Sequence, residues 1–193
     1  MTSYLFLADG FEEIEALATV DILRRAGIDV KTVSIKETRE VKGAHGVTVS
    51  ADLVYDEMAY APAEWLILPG GMPGASNLAA HERLCDKLHD HNAKGGKIAA
   101  ICASPGVVLG PLGIMRGKAG VCYPGFETLM QGCNVQSTLV AVDDNVVTGS
   151  SPAAAMPFAL AIVEITKGAE VADSVAQGML LREDSKKSEY YFG

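Results

Sequence analysis

Short apolar runs alternate with turn residues along this chain, and each run has the length of a strand or a helix. The first run, Tyr4 to Ala8, ends at Asp9-Gly10, and a helical pattern follows from Glu12 to Ala26. Gly27 ends that pattern, and a second apolar run extends from Ile28 to Ile35. A strand, a helix and a strand in this order predict a βαβ unit with parallel strands and a right-handed crossover.

The apolar residues of the first helix predict which of its sides faces the core. Ile14, Leu17 and Ala18 recur at three- and four-residue spacing, and Ile22 extends the same side. We therefore expect this side of the helix to be buried against the sheet.

The rest of the chain predicts further strands and helices and one small antiparallel element. Val41, Val47 and Val49 alternate with polar residues around Gly43 and Gly46, which favours a short antiparallel excursion. The other predicted strands are Ala63 to Leu68, Ile98 to Ile101, Ala119 to Cys122, and a hairpin of Val135 to Val142 with Val146 to Thr148. The other predicted helices are Leu84 to Ala93, Ser104 to Leu112, Ala153 to Lys167 and Ala169 to Leu181. Because no internal repeat or linker interrupts this order, we expect an α/β fold in a single domain over residues 1–193.

The acidic composition limits the classes of partner. The chain carries 24 Asp and Glu against 16 Lys and Arg, for a net charge of −8, which disfavours nucleic acid and anionic membranes as partners. No stretch reaches the ~20 apolar residues of a membrane span, and the N-terminus lacks the basic start of a signal peptide. The four cysteines form no C-x-x-C pair and no zinc-type cluster. We therefore expect a cytoplasmic protein with free thiols and with neither a metal nor a cofactor.

One of the four cysteines, Cys102, stands where a buried strand turns into a helix. Ile98 to Ile101 precede it, Ser104 is a candidate N-cap, and Pro105 suits the first helical turn. A thiolate at this corner would face free backbone N–H groups and the positive end of the helix dipole, and both lower the pKa of a cysteine. The pattern favours a reactive thiol with a depressed pKa, and the alternative is an inert buried cysteine.

A glycine-rich turn is expected beside this corner, because sites in open parallel sheets form beyond the carboxyl ends of the strands. The turn Pro69 to Gly74 follows a buried strand. Its Gly70-Gly71 pair could supply a backbone N–H that forms an oxyanion hole with the N–H of Ala103, although tight turning alone also explains these glycines.

Three acidic residues in the first turn of the first helix, Glu12, Glu13 and Glu15, are predicted to lie at the same carboxyl edge of the sheet as Cys102. The positive end of the helix dipole explains Glu12 and Glu13, whereas Glu15 lies deeper in the helix. If burial keeps Glu15 protonated, its carboxyl group can donate a hydrogen bond to a thiolate at Cys102.

A cysteine hydrolase would also need a histidine base, and no histidine is placed for that role. His81, His89 and His91 are assigned to one helix, and His45 lies in the antiparallel excursion. We expect all four histidines to be surface or loop residues.

Four segments resemble the ThiJ/PfpI superfamily, and most closely the branch that holds the parkinsonism-associated protein deglycase and the bacterial chaperone-like protein YajL. The segments are Gly10 to Ala16 with Asp21 to Gly27, Leu68 to Gly71, Ala99 to Ala103, and Phe158 to Glu164. The resemblance implies a flavodoxin-like three-layer sandwich, in which helices cover both faces of a mostly parallel sheet. It also implies a homodimer.

The same resemblance assigns roles at the site. It implies that Cys102 is the oxidisable cysteine and Glu15 its protonated partner. The backbone amides of Gly71 and Ala103 would line the site. The further site-lining residues would be Gly70, Tyr123 and Pro152.

At three positions the chain departs from the pattern of the superfamily. Ala103 stands where the PfpI-type peptidases carry a histidine, which argues against a peptidase. Tyr123 matches a histidine near the cysteine of the deglycase. Because tyrosine is a poor base at neutral pH, Glu15 or Cys102 would have to accept the proton. Ser150-Ser151-Pro152-Ala153 replaces a frequent Arg-Gly-Pro-Gly, so an anion contact from that arginine is absent.

Two functions from different classes fit a stress-protective protein with a Cys–Glu site. In the first, Cys102 attacks a small reactive aldehyde such as methylglyoxal, or a glycated side chain, and Glu15 moves the proton. In the second, the protein is a redox sensor or redox-regulated chaperone, with Cys102 oxidised to sulfenate and sulfinate and held by Glu15. A peptidase or amidotransferase-like hydrolase and a structural domain with an inert thiol are the weaker alternatives.

Overall fold

The strands and helices alternate in the order that the apolar runs predict. The computed structural model describes residues 1–58 and 62–181 and the backbone of 190–192. The helices are α1 Glu13–Arg25, α2 Gly74–Ala79, α3 Glu82–Ala93, α4 Ala155–Lys167 and α5 Ala169–Gly178. The strands are β1 Ser3–Leu7, β2 Val30–Ser34, β3 Glu40–Lys42, β4 Thr48–Ser50, β5 Leu53–Val54, β6 Trp65–Leu68, β7 Lys97–Ile101, β8 Ala119–Gly120, β9 Asn134–Val135, β10 Val140–Asp143, β11 Val146–Gly149 and β12 Tyr190–Phe192.

The main sheet is parallel except for one hairpin. Its strand order is β12-β10-β11-β7-β6-β1-β2-β5, and β10 and β11 form the antiparallel pair. The strands β3 and β4 form the small antiparallel excursion, as predicted. The predicted hairpin is shorter than expected at its start, because Asn134 and Val135 pair with β8 instead.

Helices cover both faces of the sheet and bury a separate apolar core on each. Ile22 of α1 and Phe158 of α4 lie in one core, and Leu78 of α2 with Leu84 and Leu88 of α3 lie in the other. Burying each such side chain contributes roughly 1.5–3 kcal/mol to folding. This arrangement confirms the predicted flavodoxin-like three-layer sandwich. Within the described residues, no helix combines the length and the apolar composition needed to cross a membrane.

The predicted core side of α1 is right at Ile22 and Ala18 but wrong at Ile14 and Leu17, which are 58% and 41% exposed. In the first turns, polar residues are buried instead, namely Glu13, Glu15 and Thr19. Hydrogen bonds satisfy these polar groups inside the protein; for example, the Thr19 hydroxyl donates to the Glu15 carbonyl oxygen over 2.6 Å. A pattern that counts only apolar residues misses a helix face that is buried through hydrogen-bonded polar side chains.

The strand order places the turns after β1, β6 and β7 side by side at the carboxyl edge of the sheet. A hydrogen bond joins the turns after β1 and β6, since the Glu12 N–H donates to the Gly70 carbonyl oxygen over 2.9 Å. Ser104 occupies the predicted N-cap position, but its side chain does not cap the helix, since its hydroxyl donates to the Pro69 carbonyl oxygen over 2.6 Å. The helix predicted after Cys102 is reduced to one π-helical turn, Pro105–Leu109.

Candidate active site

Cys102 occupies a strained backbone corner directly after β7. Its φ angle is +63°, in the left-handed region that non-glycine residues rarely adopt. The corner is held on both sides: the Cys102 N–H donates to the Gly149 carbonyl oxygen, and the Cys102 carbonyl oxygen accepts from the Tyr123 N–H, each over 2.8 Å. The residue is 8% exposed, so the sulfur lies at the floor of the site rather than on the surface. Strain of this kind clusters at functional sites.

Glu15 reaches Cys102 from the first turn of α1. The residue is fully buried, and its Oε2 accepts a hydrogen bond from the Gly70 N–H over 2.7 Å. Its Oε1 is also buried and accepts no hydrogen bond of normal geometry from the described residues. The same carboxyl group interacts with the Cys102 side chain. The structure thus brings together the two residues that the sequence singled out.

Gly70 makes this close approach possible. A Cβ at this position would lie 2.6 Å from the Cys102 Cβ and 2.8 Å from the Glu15 Oε2. Such distances do not occur between non-bonded atoms, so any side chain at residue 70 would push the thiol and the carboxyl group apart. Gly70 is therefore required by the geometry of the pair as well as by the turn.

Two backbone N–H groups, from Gly71 and Ala103, are directed at the Cys102 sulfur. Gly71 has a φ of +88°, and a Cβ there would collide with the backbone of Gly10 and Glu12. This arrangement matches the predicted backbone-amide pair. Donors in this position stabilise negative charge on the sulfur or on an oxygen bound next to it.

The electrostatics of the pair differ from the sequence prediction for Cys102. Burial raises the pKa of Glu15 to about 7, with a smaller contribution from the nearby Glu12 carboxylate. Burial and the charge of ionised Glu15 raise the pKa of the Cys102 thiol to about 12, against the opposing effect of the Gly71 and Ala103 N–H groups. The predicted depressed pKa is therefore wrong while Glu15 is ionised, because the helix-dipole argument omits burial and the carboxylate.

The two groups titrate as a pair. The first proton leaves the Cys102–Glu15 pair near pH 7, and the second leaves only at strongly alkaline pH. Above pH 7 the remaining proton resides on the Cys102 thiol, and Glu15 is a carboxylate. A Cys102 thiolate arises when this proton passes to Glu15.

The predicted lining residues Tyr123 and Pro152 differ in their relation to Cys102. Tyr123 is 44% exposed and lines a cavity of about 430 Å³ together with Ser150 and Ser151. Its backbone N–H donates to the Cys102 carbonyl oxygen. Pro152 begins a short 3-10 turn directly after these serines and does not line the cavity.

Glu12, Glu13 and His45 form a second polar group beside the site, which the sequence analysis missed. Glu12 caps α1, with its Oε2 accepting from the Glu15 N–H over 2.7 Å. Glu13 accepts from the His45 N–H over 2.7 Å, and its Oε2 lies 2.8 Å from the His45 Nδ1. This contact raises the pKa of His45, which lies in an exposed turn as predicted.

The spacing of these three residues has a structural explanation. One ligand atom from each lies within 4.8 Å of the others, a distance that suits a metal ion. Hydrogen bonds among Glu13, His45 and Val47 already account for this geometry, since they hold the turn between β3 and β4 on the start of α1. The only sequence signal for this contact was the acidic first turn of the helix.

Comparisons with known proteins agree with this geometry. The protein DJ-1 homolog A of Arabidopsis thaliana is 35% identical over 175 residues, which are 91% of this chain and 45% of that protein. This chain therefore spans less than half the length of that relative. The glutathione-independent glyoxalase DJR-1.2 of Caenorhabditis elegans is 33% identical over 171 residues, which cover 88% of this chain and 90% of that protein.

A solved structure and a family model complete the comparison. The structure of oxidised DJ-1 from Toxoplasma gondii superimposes with a TM-score of 0.89 at 36% identity, covering 93% of this chain and 97% of that chain. The model of the DJ-1/PfpI family matches residues 1–165. The resemblance inferred from the four segments is thus confirmed, and the chain belongs to the DJ-1/PfpI family.

Proposed function

We propose that this protein converts reactive carbonyl compounds, in the manner of a glyoxalase or deglycase, with Cys102 as nucleophile and Glu15 as proton carrier. The observation that carries the proposal is the buried Cys102–Glu15 pair with two backbone N–H groups directed at its sulfur. The name of the Caenorhabditis elegans relative, a glutathione-independent glyoxalase, supports the same chemistry. The free cysteines support the proposal of a cytoplasmic location.

The reaction begins when ionised Glu15 takes the proton of the Cys102 thiol. With the proton on Glu15, the Cys102 thiolate forms a C–S bond to the aldehyde carbon of methylglyoxal. The aldehyde oxygen then takes the proton from Glu15, which gives a hemithioacetal. The N–H groups of Gly71 and Ala103 stabilise the negative charge that develops before this proton arrives.

Glu15, now a carboxylate, is the base for the second step. It removes the hydrogen of the former aldehyde carbon as a proton and returns a proton to the neighbouring carbon. The hydroxyl proton of the hemithioacetal passes to the former ketone oxygen, which gives a lactate thioester on Cys102. Water hydrolyses the thioester, releasing lactate and restoring the thiol. The aldehyde carbon is oxidised while the ketone carbon is reduced, so the reaction needs no external oxidant or reductant and no cofactor.

Tyr123 supports the assignment of base chemistry to Glu15. A phenol hydroxyl is a hydrogen-bond donor and a poor base, so it does not replace the histidine of the related deglycase as a proton acceptor. The raised pKa of Glu15, about 7, is in contrast close to the value that suits a general acid and base at neutral pH.

The direct test is lactate formation from methylglyoxal. We expect the purified protein to form lactate, detected by NMR without added glutathione or metal. Prior treatment with iodoacetamide that alkylates Cys102, located by peptide mass spectrometry, should stop the reaction. Failure to form lactate, with the protein folded and Cys102 reduced, would contradict the proposal.

A second candidate, a redox sensor or redox-regulated chaperone, is favoured by one observation. The buried Oε1 of Glu15 lacks a well-formed hydrogen bond within the described residues, so it can donate to an oxygen added at the Cys102 sulfur. Mild peroxide that produces sulfinate selectively at Cys102, in a protein that forms no lactate, would support this candidate.

We also propose that the protein is a homodimer. Ile14 and Leu17 are exposed on one side of α1, and Val47, which is 50% exposed, is placed beside them by a contact of its N–H with Glu13. A second copy packed on this apolar surface would remove it from water. Light scattering should give twice the 20.3 kDa of one chain, and Leu17→Glu should give the monomer. A wild-type mass of one chain at all concentrations would contradict the dimer.

A further inference from the structure

The cavity beside Cys102 is bounded by segments that hold the cysteine in place. Its volume is about 430 Å³. Tyr123, on one side, donates its N–H to the Cys102 carbonyl oxygen. Ser150, on the other side, directly follows Gly149, whose carbonyl oxygen accepts from the Cys102 N–H. Cys102 itself does not line the cavity, so a carbonyl compound attacked at its sulfur would reach the cavity with the part that extends past Tyr123 or Ser150.

The polar residues that line this cavity are either neutral or negatively charged. Among the residues that the structure describes, its only charged side chain is Glu127, and no lysine, arginine or histidine lines it. The Gly125 N–H donates to the Glu127 Oε2 over 2.7 Å, which fixes the carboxylate at the rim. The neutral polar lining residues are Tyr123, Gln136, Ser137, Thr138, Ser150 and Ser151.

These groups treat anionic and non-anionic ligands differently. Hydroxyl and amide groups can donate to and accept from a hydroxylated or amide-bearing ligand. A carboxylate or phosphate on the ligand would find no cation and would be repelled by Glu127, whereas an ammonium group would be attracted. The charge of Glu15 and Glu12 behind Cys102 acts in the same direction.

We infer that the cavity selects carbonyl compounds whose remaining part is neutral or cationic and that it disfavours those carrying a carboxylate or phosphate. This inference rests on the proposed function and specifies its substrate class. Hydroxylated and amine-bearing carbonyl compounds belong to the favoured class, and acidic aldehydes belong to the disfavoured one. Glu127 is the residue that determines this selectivity.

Three arylglyoxals provide the test: phenylglyoxal and its para-carboxymethyl and para-trimethylammoniomethyl derivatives. The methylene group separates the charge from the reacting aldehyde, so the intrinsic reactivity of the three compounds is similar. We expect kcat/KM for arylglycolate formation at low ionic strength to be about tenfold higher for the cationic than for the anionic compound, as for one unit charge at close range. Added salt should reduce this ratio.

Two variants test whether Glu127 causes this difference in kcat/KM. Glu127→Gln should bring the ratio close to one. Glu170→Gln, which removes an exposed acid from the first turn of α5 outside the cavity, should leave the ratio unchanged. A wild-type ratio near or below one, or a ratio that survives Glu127→Gln, would overturn the inference.

A second readout does not depend on turnover. If the wild type consumes none of the three compounds, the proposed function fails, and selectivity is measured by alkylation of Cys102 instead. Iodoacetate and an iodoacetamide bearing a quaternary ammonium group are compared by peptide mass spectrometry. Faster modification by the cationic reagent, with the preference reduced in Glu127→Gln, supports the inference; equal rates, or a preference unchanged in that variant, overturn it.

Discussion

Replacing Cys102 with serine is expected to lower the rate of lactate formation from methylglyoxal at least about 1,000-fold. Serine is close to cysteine in size, so the corner after β7 keeps its shape. Its hydroxyl holds its proton far more tightly than a thiol, and Glu15 cannot ionise it at neutral pH. The measurement is initial rate by NMR or coupled lactate detection on purified wild type and variant.

A matched control separates this effect from the loss of any thiol. Cys85 is a partly buried free cysteine on α3, whose Sγ lies 3.3 Å from the Ala79 carbonyl oxygen. Cys85→Ser should retain the wild-type rate within about twofold, because it lies outside the site. Substantial lactate formation by Cys102→Ser would rule out Cys102 as the nucleophile.

Replacing Glu15 with glutamine is expected to lower kcat/KM for methylglyoxal about 100-fold or more, the usual contribution of a general acid and base. The glutamine amide oxygen can still accept from the Gly70 N–H, as the carboxyl Oε2 does over 2.7 Å. What the variant loses is the proton that passes between Glu15 and Cys102. Glu15→Leu removes the acceptor as well and serves as the comparison.

Oxidation distinguishes hydrogen bonding from proton transfer in the same variants. If Glu15 stabilises an oxidised sulfur by a hydrogen bond, Glu15→Gln should form sulfinate at Cys102 more readily than Glu15→Leu. If Glu15 acts only as a proton carrier, both variants should lose lactate formation and form sulfinate equally. Wild-type turnover in Glu15→Gln would exclude Glu15 as the base.

Glu15 is expected to make the free energy of unfolding of the wild type decrease with rising pH. The folded protein raises the pKa of Glu15 from 4.5 to about 7, so between these values the folded state holds a proton that the unfolded chain has lost. The wild-type free energy of unfolding should therefore fall by about 3 kcal/mol as the pH rises through this window, and in Glu15→Gln this decrease should be absent. Urea unfolding at several pH values measures it.

Alkylation of Cys102 reports the same coupling at the sulfur. In the wild type, the rate with iodoacetamide should rise with a midpoint well above that of an ordinary cysteine, because burial and ionised Glu15 raise the pKa of Cys102 to about 12. In Glu15→Gln the midpoint should move downward, because the charge of Glu15 is removed and burial alone still raises the pKa of the thiol. Equal midpoints near 8.5 in both proteins, the value of an ordinary cysteine, would contradict the coupling.

The sequence predicts the position of the site well because strand ends are marked by clear changes of composition. The apolar run Ile98 to Ile101 ends at Cys102, and Trp65 to Leu68 ends at Pro69-Gly70-Gly71. Once the strands are recognised as parallel, their carboxyl ends must share an edge. The proximity of Glu15 to Cys102 follows from this topology.

The sequence does not predict how polar groups are buried around that position. Glu13 looks like a solvated acid of a helix start, and Glu15 differs in the sequence only by its deeper position, yet each is buried because a backbone N–H group of a distant segment binds it. The Gly70 and His45 contacts lie 55 and 32 residues away in the chain. Local patterns do not reveal such contacts, and for the same reason they misplaced Ile14 and Leu17 of α1 in the core.

The predicted lowering of the Cys102 pKa is wrong for a related physical reason. The local argument counted the N–H groups and the helix dipole, which are visible in the strand–turn–helix pattern. Burial and the charge of Glu15 have the opposite effect, and their magnitude depends on how closely Gly70 lets the two side chains approach. That distance is a property of the fold rather than of any local segment.

The left-handed backbone at Cys102 also bears on which residue the fold itself would favour there. A non-glycine residue at a φ of +63° costs on the order of 1–2 kcal/mol, and glycine would avoid this cost. Folding stability therefore favours glycine at residue 102, whereas the proposed site chemistry requires a cysteine. Cys102→Gly would therefore stabilise the fold and remove the thiol at the same time.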